Sequence, residues 1–276
     1  MVEPLPEIEA RFLVSCEEAR AFFAQASCHA RLDVFDAARP IAFVRTTYFD
    51  SDDLELFRSQ RRRRVRLREY AGARRPDGIP ALTGISAFEV KETCDDIRRK
   101  SRAAGDRAEL MRLLRRGPGR AVDPDLAHAA AQVRSGWLRP RITTFFRRLS
   151  FTGAGIRVTL DDQLTFARPV RLGRAGEPAE PADIVGRGPK LILEVKLDRA
   201  PAAWLRAATA DFLVMTRFSK FRDGMLAIGR ADALRGLSAT TRDSMLTWLQ
   251  RHELPGTRHV DSGGDRRRDD RRLLAL

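Results

Sequence analysis

The side chains in this chain best suited to chemistry are basic, and they fall on every second residue. Residues 61–70 read Arg-Arg-Arg-Arg-Val-Arg-Leu-Arg-Glu-Tyr. As a strand, this stretch puts Arg62, Arg64, Arg66, Arg68 and Tyr70 on one side and Val65 and Leu67 on the other. A row of guanidinium groups offers charge-assisted, often bidentate, hydrogen bonds to anionic oxygens. Taken alone, such a row is a solvated edge or a nucleic-acid patch. The same two-faced pattern recurs, however, at Glu7-Ile8-Glu9-Ala10-Arg11-Phe12, Phe88-Glu89-Val90-Lys91, Arg157-Val158-Thr159-Leu160-Asp161 and Leu193-Glu194-Val195-Lys196. One face of each is aliphatic or aromatic; the other carries Glu, Arg, Lys or Thr with a basic excess.

Those strands need elements that hold them in register. Ala19, Phe22, Phe23 and Ala26 recur at helical spacing over residues 16–26, behind Ser15 as cap with Glu18 three residues on. Residues 41–50 read as a strand, followed by a short helical turn over 51–57. Gly72, Pro76, Gly78, Pro80 and Gly84 mark a loop, and Arg98, Arg99, Lys100 and Arg102 crowd a connection after Lys91. Helices are expected over 106–115 and 123–134, then a strand over 141–151 and a hairpin turn at Gly153–Gly155. Residues 169–189, rich in Pro and Gly, read as a long exposed loop. Further helices are expected over 202–210 and 241–251, with Ser219-Lys220-Phe221 in the turn between. The domain is expected to span 1–255, and the Arg-rich tail, 256–276, has too little apolar content to fold alone.

With 276 residues and 43% hydrophobic content, the chain can bury a real core. A net charge of +14 calls for an anionic partner without choosing among nucleic acid, membrane surface and phosphate compounds. Cys16, Cys28 and Cys94 fit neither a disulfide framework nor a metal motif, and His29, His128, His252 and His259 have no metal-site spacing. No apolar run of about 18 residues and no charged-then-apolar leader is seen, so a cytoplasmic protein that inserts no membrane span is expected. The α+β fold class that reconciles these features is a closed antiparallel β-barrel of about eight strands with helices packed outside. The ionic faces would then meet in the lumen, where like charges about 4 Å apart repel by about 4 kcal/mol at an effective dielectric of about 20. Carboxylates and a polyanion would relieve that repulsion, and a linear phosphate chain fits.

These motifs, in this order, resemble those of the triphosphate tunnel metalloenzymes, and within them the polyphosphate polymerase domain of the vacuolar transporter chaperone (VTC) type. The resemblance runs from about Glu7 to about Gly224. Glu7-Ile8-Glu9-Ala10-Arg11 is similar to the family's opening Glu-x-Glu-x-Lys, with Arg11 where Lys is usual. Thr46-Thr47-Tyr48-Phe49-Asp50 resembles its Thr-Tyr-Phe-Asp stretch, and Phe146-Arg147-Arg148-Leu149-Ser150-Phe151 its Tyr-x-Arg-x-x-Phe, with Phe146 for Tyr. Arg64 to Tyr70, Phe88 to Lys91, Arg157 to Asp161, Leu193 to Lys196 and Ser219-Lys220-Phe221 match the remaining elements. The resemblance implies a CYTH-like, triphosphate-tunnel barrel. It also implies a metal-dependent phosphotransferase acting on nucleoside triphosphate, building polyphosphate from ATP. The implied catalytic residues are Arg66, Arg68, Lys91, Arg148 and Arg157. Arg11, Arg64, Lys100, Lys196, Ser219 and Lys220 would bind substrate, and Mg²⁺ or Mn²⁺ would sit on Glu194, with Glu9 and Glu89 as helpers.

Other readings stay open at this level. A tunnel triphosphatase would release phosphate from an inorganic or organic triphosphate, and a non-catalytic module would only bind polyphosphate. Nucleic acid ranks last, because stacking aromatics between the basic strands are lacking. Glu194 and Lys196, two apart on one face, could form a plain ion pair. Arg98, Arg99 or Arg102 could take the place of Lys100, Arg61 to Arg63 suit solvated charges at a barrel mouth, and Tyr48 and Phe49 suit packing.

Overall fold

The computed structural model describes residues 8–33, 41–59, 62–74, 80–94, 97–117, 123–153, 155–169, 183–198, 200–216 and 218–233. The helix expected over 241–251, the tail, Glu7 and Arg61 lie outside them. Local chemistry fixes the helix starts. Before α1 (Cys16–Ala26) the Glu18 N–H donates to Ser15 Oγ at 3.1 Å while the Ser15 N–H donates to the Glu18 carboxylate at 2.6 Å, a reciprocal cap. Asp106 caps α3 (Arg107–Arg116), and Asp123, followed by Pro124, caps α4 (Pro124–Arg134). The buried Asp50 carboxylate accepts from the N–H groups of Ser51, Leu56 and Phe57, each at 2.8 Å, and so winds the chain into α2 (Glu55–Arg58).

The strands are β1 (Ile8–Leu13), β2 (Arg31–Leu32), β3 (Ala42–Asp50), β4 (Arg64–Arg74), β5 (Pro80–Cys94), β6 (Ile97–Asp106), β7 (Arg139–Gly153), β8 (Ile156–Ala167), β9 (Ile184–Arg187), β10 (Leu191–Leu197) and β11 (Leu213–Val214). Gly155, at φ 76°, makes the tight turn from β7 to β8. The ladders are antiparallel, in the order β11-β1-β10-β8-β7-β3-β4-β5-β6, with β2 on β7 and β9 on β8. Among the described residues no ladder joins β6 to β1 or β11, so the sheet is open rather than a closed barrel. Its two flanks nonetheless meet through side chains: Glu9 on β1 lies 3.4 Å from Arg98 on β6. The sheet therefore curls until its ionic face is concave, and ion pairs stand where backbone pairing would close a barrel.

The convex face is apolar and carries helices. Val158, Leu193, Val195, Ala10 and Phe12 pack under α1 and α5 (Ala203–Thr209). Val65, Leu67, Phe88 and Val90 pack under α3 and α4. The last described helix, α6 (Lys220–Ala233), differs from the expected outer layer. Its Phe221 and Met225 pack with Val44, Tyr48, Ile142, Phe146 and Ile192, on the concave side. Gly224 allows that approach, since a Cβ there would come within 2.8 Å of Ile142. Ser219-Lys220-Phe221 thus opens a helix rather than a turn. The basic connection after Lys91 is the strand β6, the loop expected over 72–84 is largely occupied by β4 and β5, and β9 lies within the loop expected over 169–189.

Candidate functional site

Ladder register assembles the concave face, because residues opposite one another in an antiparallel pair project to the same side. Arg11 lies opposite Glu194 and Glu9 opposite Lys196. Lys196, Glu194 and Ile192 continue to Arg157, Thr159 and Asp161 on β8, and Asp161 to Arg148 on β7. On the other flank, Arg64 lies opposite Lys91 and Arg66 opposite Glu89; these continue to Lys100 and Arg102 on β6. Arg148 rather than Arg147 turns inward, and Arg147 pairs with Asp162 on the other face.

Each acidic group here is bracketed by cations. Arg11 Nε donates to Glu194 at 2.9 Å, and the same guanidinium also pairs with Glu9. Glu9 further meets Lys196 at 3.3 Å and Lys91 at 4.0 Å. Glu89 takes Arg66 at 2.7 Å, Lys100 at 3.3 Å and Arg102 at 3.4 Å. Asp161 takes Arg148 at 2.6 and 2.7 Å and Lys220 Nζ at 2.7 Å. Glu194 thus pairs across the ladder with Arg11.

Electrostatics record a cation surplus. Burial works against ionising Glu89, yet Arg66, Arg68 and Lys100 bring its carboxyl down to about 2. Burial likewise opposes charge on Glu194 and Asp161, but Arg11, Arg148 and Lys220 hold the first well below the usual carboxylate range, and Arg148 and Lys220 lower the second. Lys91 falls to about 8, through burial and then the repulsion of Lys196, Arg64, Arg98 and Arg66. Burial and the neighbouring Arg66 also depress Arg64 and Arg68. Tyr48 is buried and stacked on Phe221, and although burial alone would raise its hydroxyl, Arg66, Arg68 and Lys220 pull it down. Tyr48 therefore packs and also presents an oxygen to the cation cluster.

Not every expected site residue converges. Arg157 is exposed at the start of β8. The Ser219 hydroxyl accepts from the Arg222 N–H at 3.4 Å, at the start of α6. Among the described residues no three His, Cys, Asp or Glu side chains gather as a metal cage. Glu9 and Glu194 are brought together through Arg11, whereas Glu89 belongs to a separate group around Arg66. Sequence reasoning gave Asp161 no role, although its place four residues after Arg157 on the ionic face pointed to it. It also passed over a row of buried polar atoms without a hydrogen-bond partner: Arg68 Nε, Thr46 Oγ1 and Thr144 Oγ1, with Thr46 opposite Arg68 on one side and Thr144 on the other.

Several solved structures are similar to the chain. A Hippeastrum protein, a candidate adenylyl cyclase with a dominant triphosphatase activity, aligns at 11% identity over 78% of this chain and 92% of its own, with a TM-score of 0.46. A candidate adenylate cyclase from Bacillus halodurans aligns at 15% identity over 75% and 87%, with a TM-score of 0.41. A Pyrococcus horikoshii protein aligns at 10% identity over 78% and 96%, also at 0.41. No curated protein sequence matches. The family model of the VTC domain matches residues 7–228, most of the chain, and the protein belongs to the VTC domain family.

Proposed function

We propose that the protein is a metal-dependent phosphotransferase that takes a nucleoside triphosphate into its concave face and extends inorganic polyphosphate. The observation that carries this reading is the convergence of cations from β1, β4, β5, β7, β10 and α6 on one face with too few carboxylates to answer them. Triphosphate chains supply several charges on closely spaced oxygens, each able to take a guanidinium or ammonium donor. The unpartnered Arg68 Nε, Thr46 Oγ1 and Thr144 Oγ1 add donors of the kind a phosphate oxygen accepts.

Phosphoryl transfer asks mainly for positioning and for charge stabilisation. Arg66, Arg68 and Lys91 hold the phosphates along β4 and β5, and Arg148 and Lys220, steadied by Asp161, hold them from the opposite wall. The phosphoryl group passes to a terminal oxygen of the acceptor phosphate, and the bond to the nucleoside diphosphate breaks. Lys100, Arg64, Arg11 and Lys196 retain the chain at the outer end. The donor set suits a Mg²⁺ or Mn²⁺ ion that takes one or two carboxylates and otherwise phosphate and water oxygens. Glu194, with Glu9 beside it, would hold that ion; Glu89 lies apart, in the group around Arg66, Lys100 and Arg102. When bound, the ion supplies neutralisation of charge on the transferring phosphoryl group.

Incubation with ATP and Mn²⁺ tests the reading. Long phosphate chains resolved on a gel are the expected outcome, and Glu194→Ala should lower their formation by about 100-fold or more while leaving polyphosphate binding. Orthophosphate without chains would make the protein a tunnel triphosphatase, and binding without turnover in the wild type would make it a polyphosphate-binding module.

A further inference from the structure

Strand β6 carries more positive charge than the interior uses. Among the described residues it pairs with β5 alone, so one edge is open, and Arg98 and Arg102 are 49% and 44% exposed. These side chains share a face with Lys100 and, through the register, with Lys91 and Glu89 inside the concavity. Arg98, Lys100 and Arg102 are spaced two residues apart, about 6.6 Å per step. Arg98 also bridges to Glu9 across the seam between β6 and β1, where side chains rather than backbone hold the two flanks together. A path of positive charge therefore runs from the interior past Lys100 and out along the open edge, with no strand paired there among the described residues.

We infer that a linear polyphosphate longer than the concavity continues through this lateral seam onto β6, with Arg98 and Arg102 holding the segment outside. The inference rests on the proposed polyphosphate function and goes beyond it, because it assigns a place to the part of the chain outside the concavity. Charge complementarity and continuity with the interior cations favour this occupant. The sequence of β6, Ile-Arg-Arg-Lys-Ser-Arg-Ala-Ala-Gly-Asp, holds no aromatic ring on which a base could stack, which disfavours single-stranded nucleic acid. A long chain displaces Glu9, which closes the seam in the free protein, from Arg98 and Glu89 from Arg102, so both carboxylates yield to phosphate oxygens of the same charge sign.

Titration calorimetry of the full chain with tripolyphosphate, long-chain polyphosphate and oligo(dT) separates the possibilities. The wild type is expected to bind the long chain about tenfold tighter than tripolyphosphate, and Arg98→Ala/Arg102→Ala to erase that advantage by weakening the long chain about tenfold more than tripolyphosphate. The double Lys replacement at the same positions should retain most of the advantage, since charge is kept. Equal affinities in the wild type, or a double variant that weakens both phosphates alike, overturn the strip and leave the interior reading standing. An equal oligo(dT) advantage, lost in the same variant, overturns polyphosphate as the occupant. Failure of the wild type to bind tripolyphosphate at all overturns the functional reading and this inference with it.

Discussion

Two buried acid–base groups lie on opposite faces of the same sheet, each a carboxylate held by two cations. On the convex side Glu69 accepts from Arg45 at 2.8 and 3.1 Å and from Arg107, the first residue of α3, at 2.6 Å. On the concave side Asp161 accepts from Arg148 and Lys220. The convex group is centred on a fully covered pair, Arg45 and Glu69 at 1% and 0% exposed, with Arg107 15% exposed at its side chain. The concave cations are 15% and 14% exposed at their side chains and stand among further cations that no carboxylate answers one for one. Identical pairing chemistry therefore serves two ends. Where the central cation is covered by apolar packing, the network ties elements together; where cations stand in surplus and within reach of solvent, the network suits the anion binding proposed above.

The largest contrast should come from removing each central carboxylate. Glu69→Ala takes the carboxylate from the fully buried Arg45 guanidinium and is expected to cost about 3–5 kcal/mol in urea unfolding, with little rescue by added anions. Asp161→Ala should cost clearly less, because both of its cations, Arg148 and Lys220, reach solvent whereas Arg45 does not, and added phosphate or tripolyphosphate should restore most of the loss by occupying the vacated place. Equal losses without rescue in both variants would erase the distinction between the two faces.

A smaller effect carries an opposite sign. Arg64 is disfavoured by burial and by Arg66, Arg11 and Arg62, with relief from Tyr48. Arg64→Met should therefore stabilise the free protein by about 1 kcal/mol while weakening tripolyphosphate binding about tenfold, a trade of stability for function. Thermal melts with and without tripolyphosphate read both quantities. A variant that melts lower and binds normally would assign Arg64 to the framework instead.

The sequence made the interior legible where strand alternation did the work. Glu9, Arg11, Glu89, Lys91, Glu194 and Lys196 lie on the concave face because a two-residue period leaves no other choice once the apolar partners are buried. Helix starts at Ser15, Asp106 and Asp123 were equally plain, since capping is local. Closure of the barrel was not legible, because whether β6 reaches β1 depends on curl summed over many strands rather than on any residue. Strand β6 itself was masked by Arg98, Arg99, Lys100 and Arg102, whose consecutive charges resemble a solvated connection. Helix α6 was missed for the converse reason. Its apolar residues, Phe221 and Met225, face into the concavity, where an ionic lining left no expected place for them.

The finest test of the concave surplus is a proton. Lys91, opposite Arg64 and Lys100, has its pKa lowered to about 8 by burial and then by Lys196, Arg64, Arg98 and Arg66. An unfolded lysine keeps its proton to about 10.4. Between about 8 and about 10.4 the unfolded state thus holds more protons than the folded one, so this group makes the free protein more stable as pH rises through that window. Below the window the cost of a charged, crowded lysine is fully present. A phosphate chain reverses the balance by favouring the charged form, so binding near pH 8 should take up about half a proton, and affinity should decline above that pH. Calorimetry in two buffers of different ionisation enthalpy measures the uptake, and Lys91→Met should abolish it. If uptake is absent, or survives in Lys91→Met, the concave cations are not strained at this position, and their resemblance to the settled convex network is closer than the surplus implies.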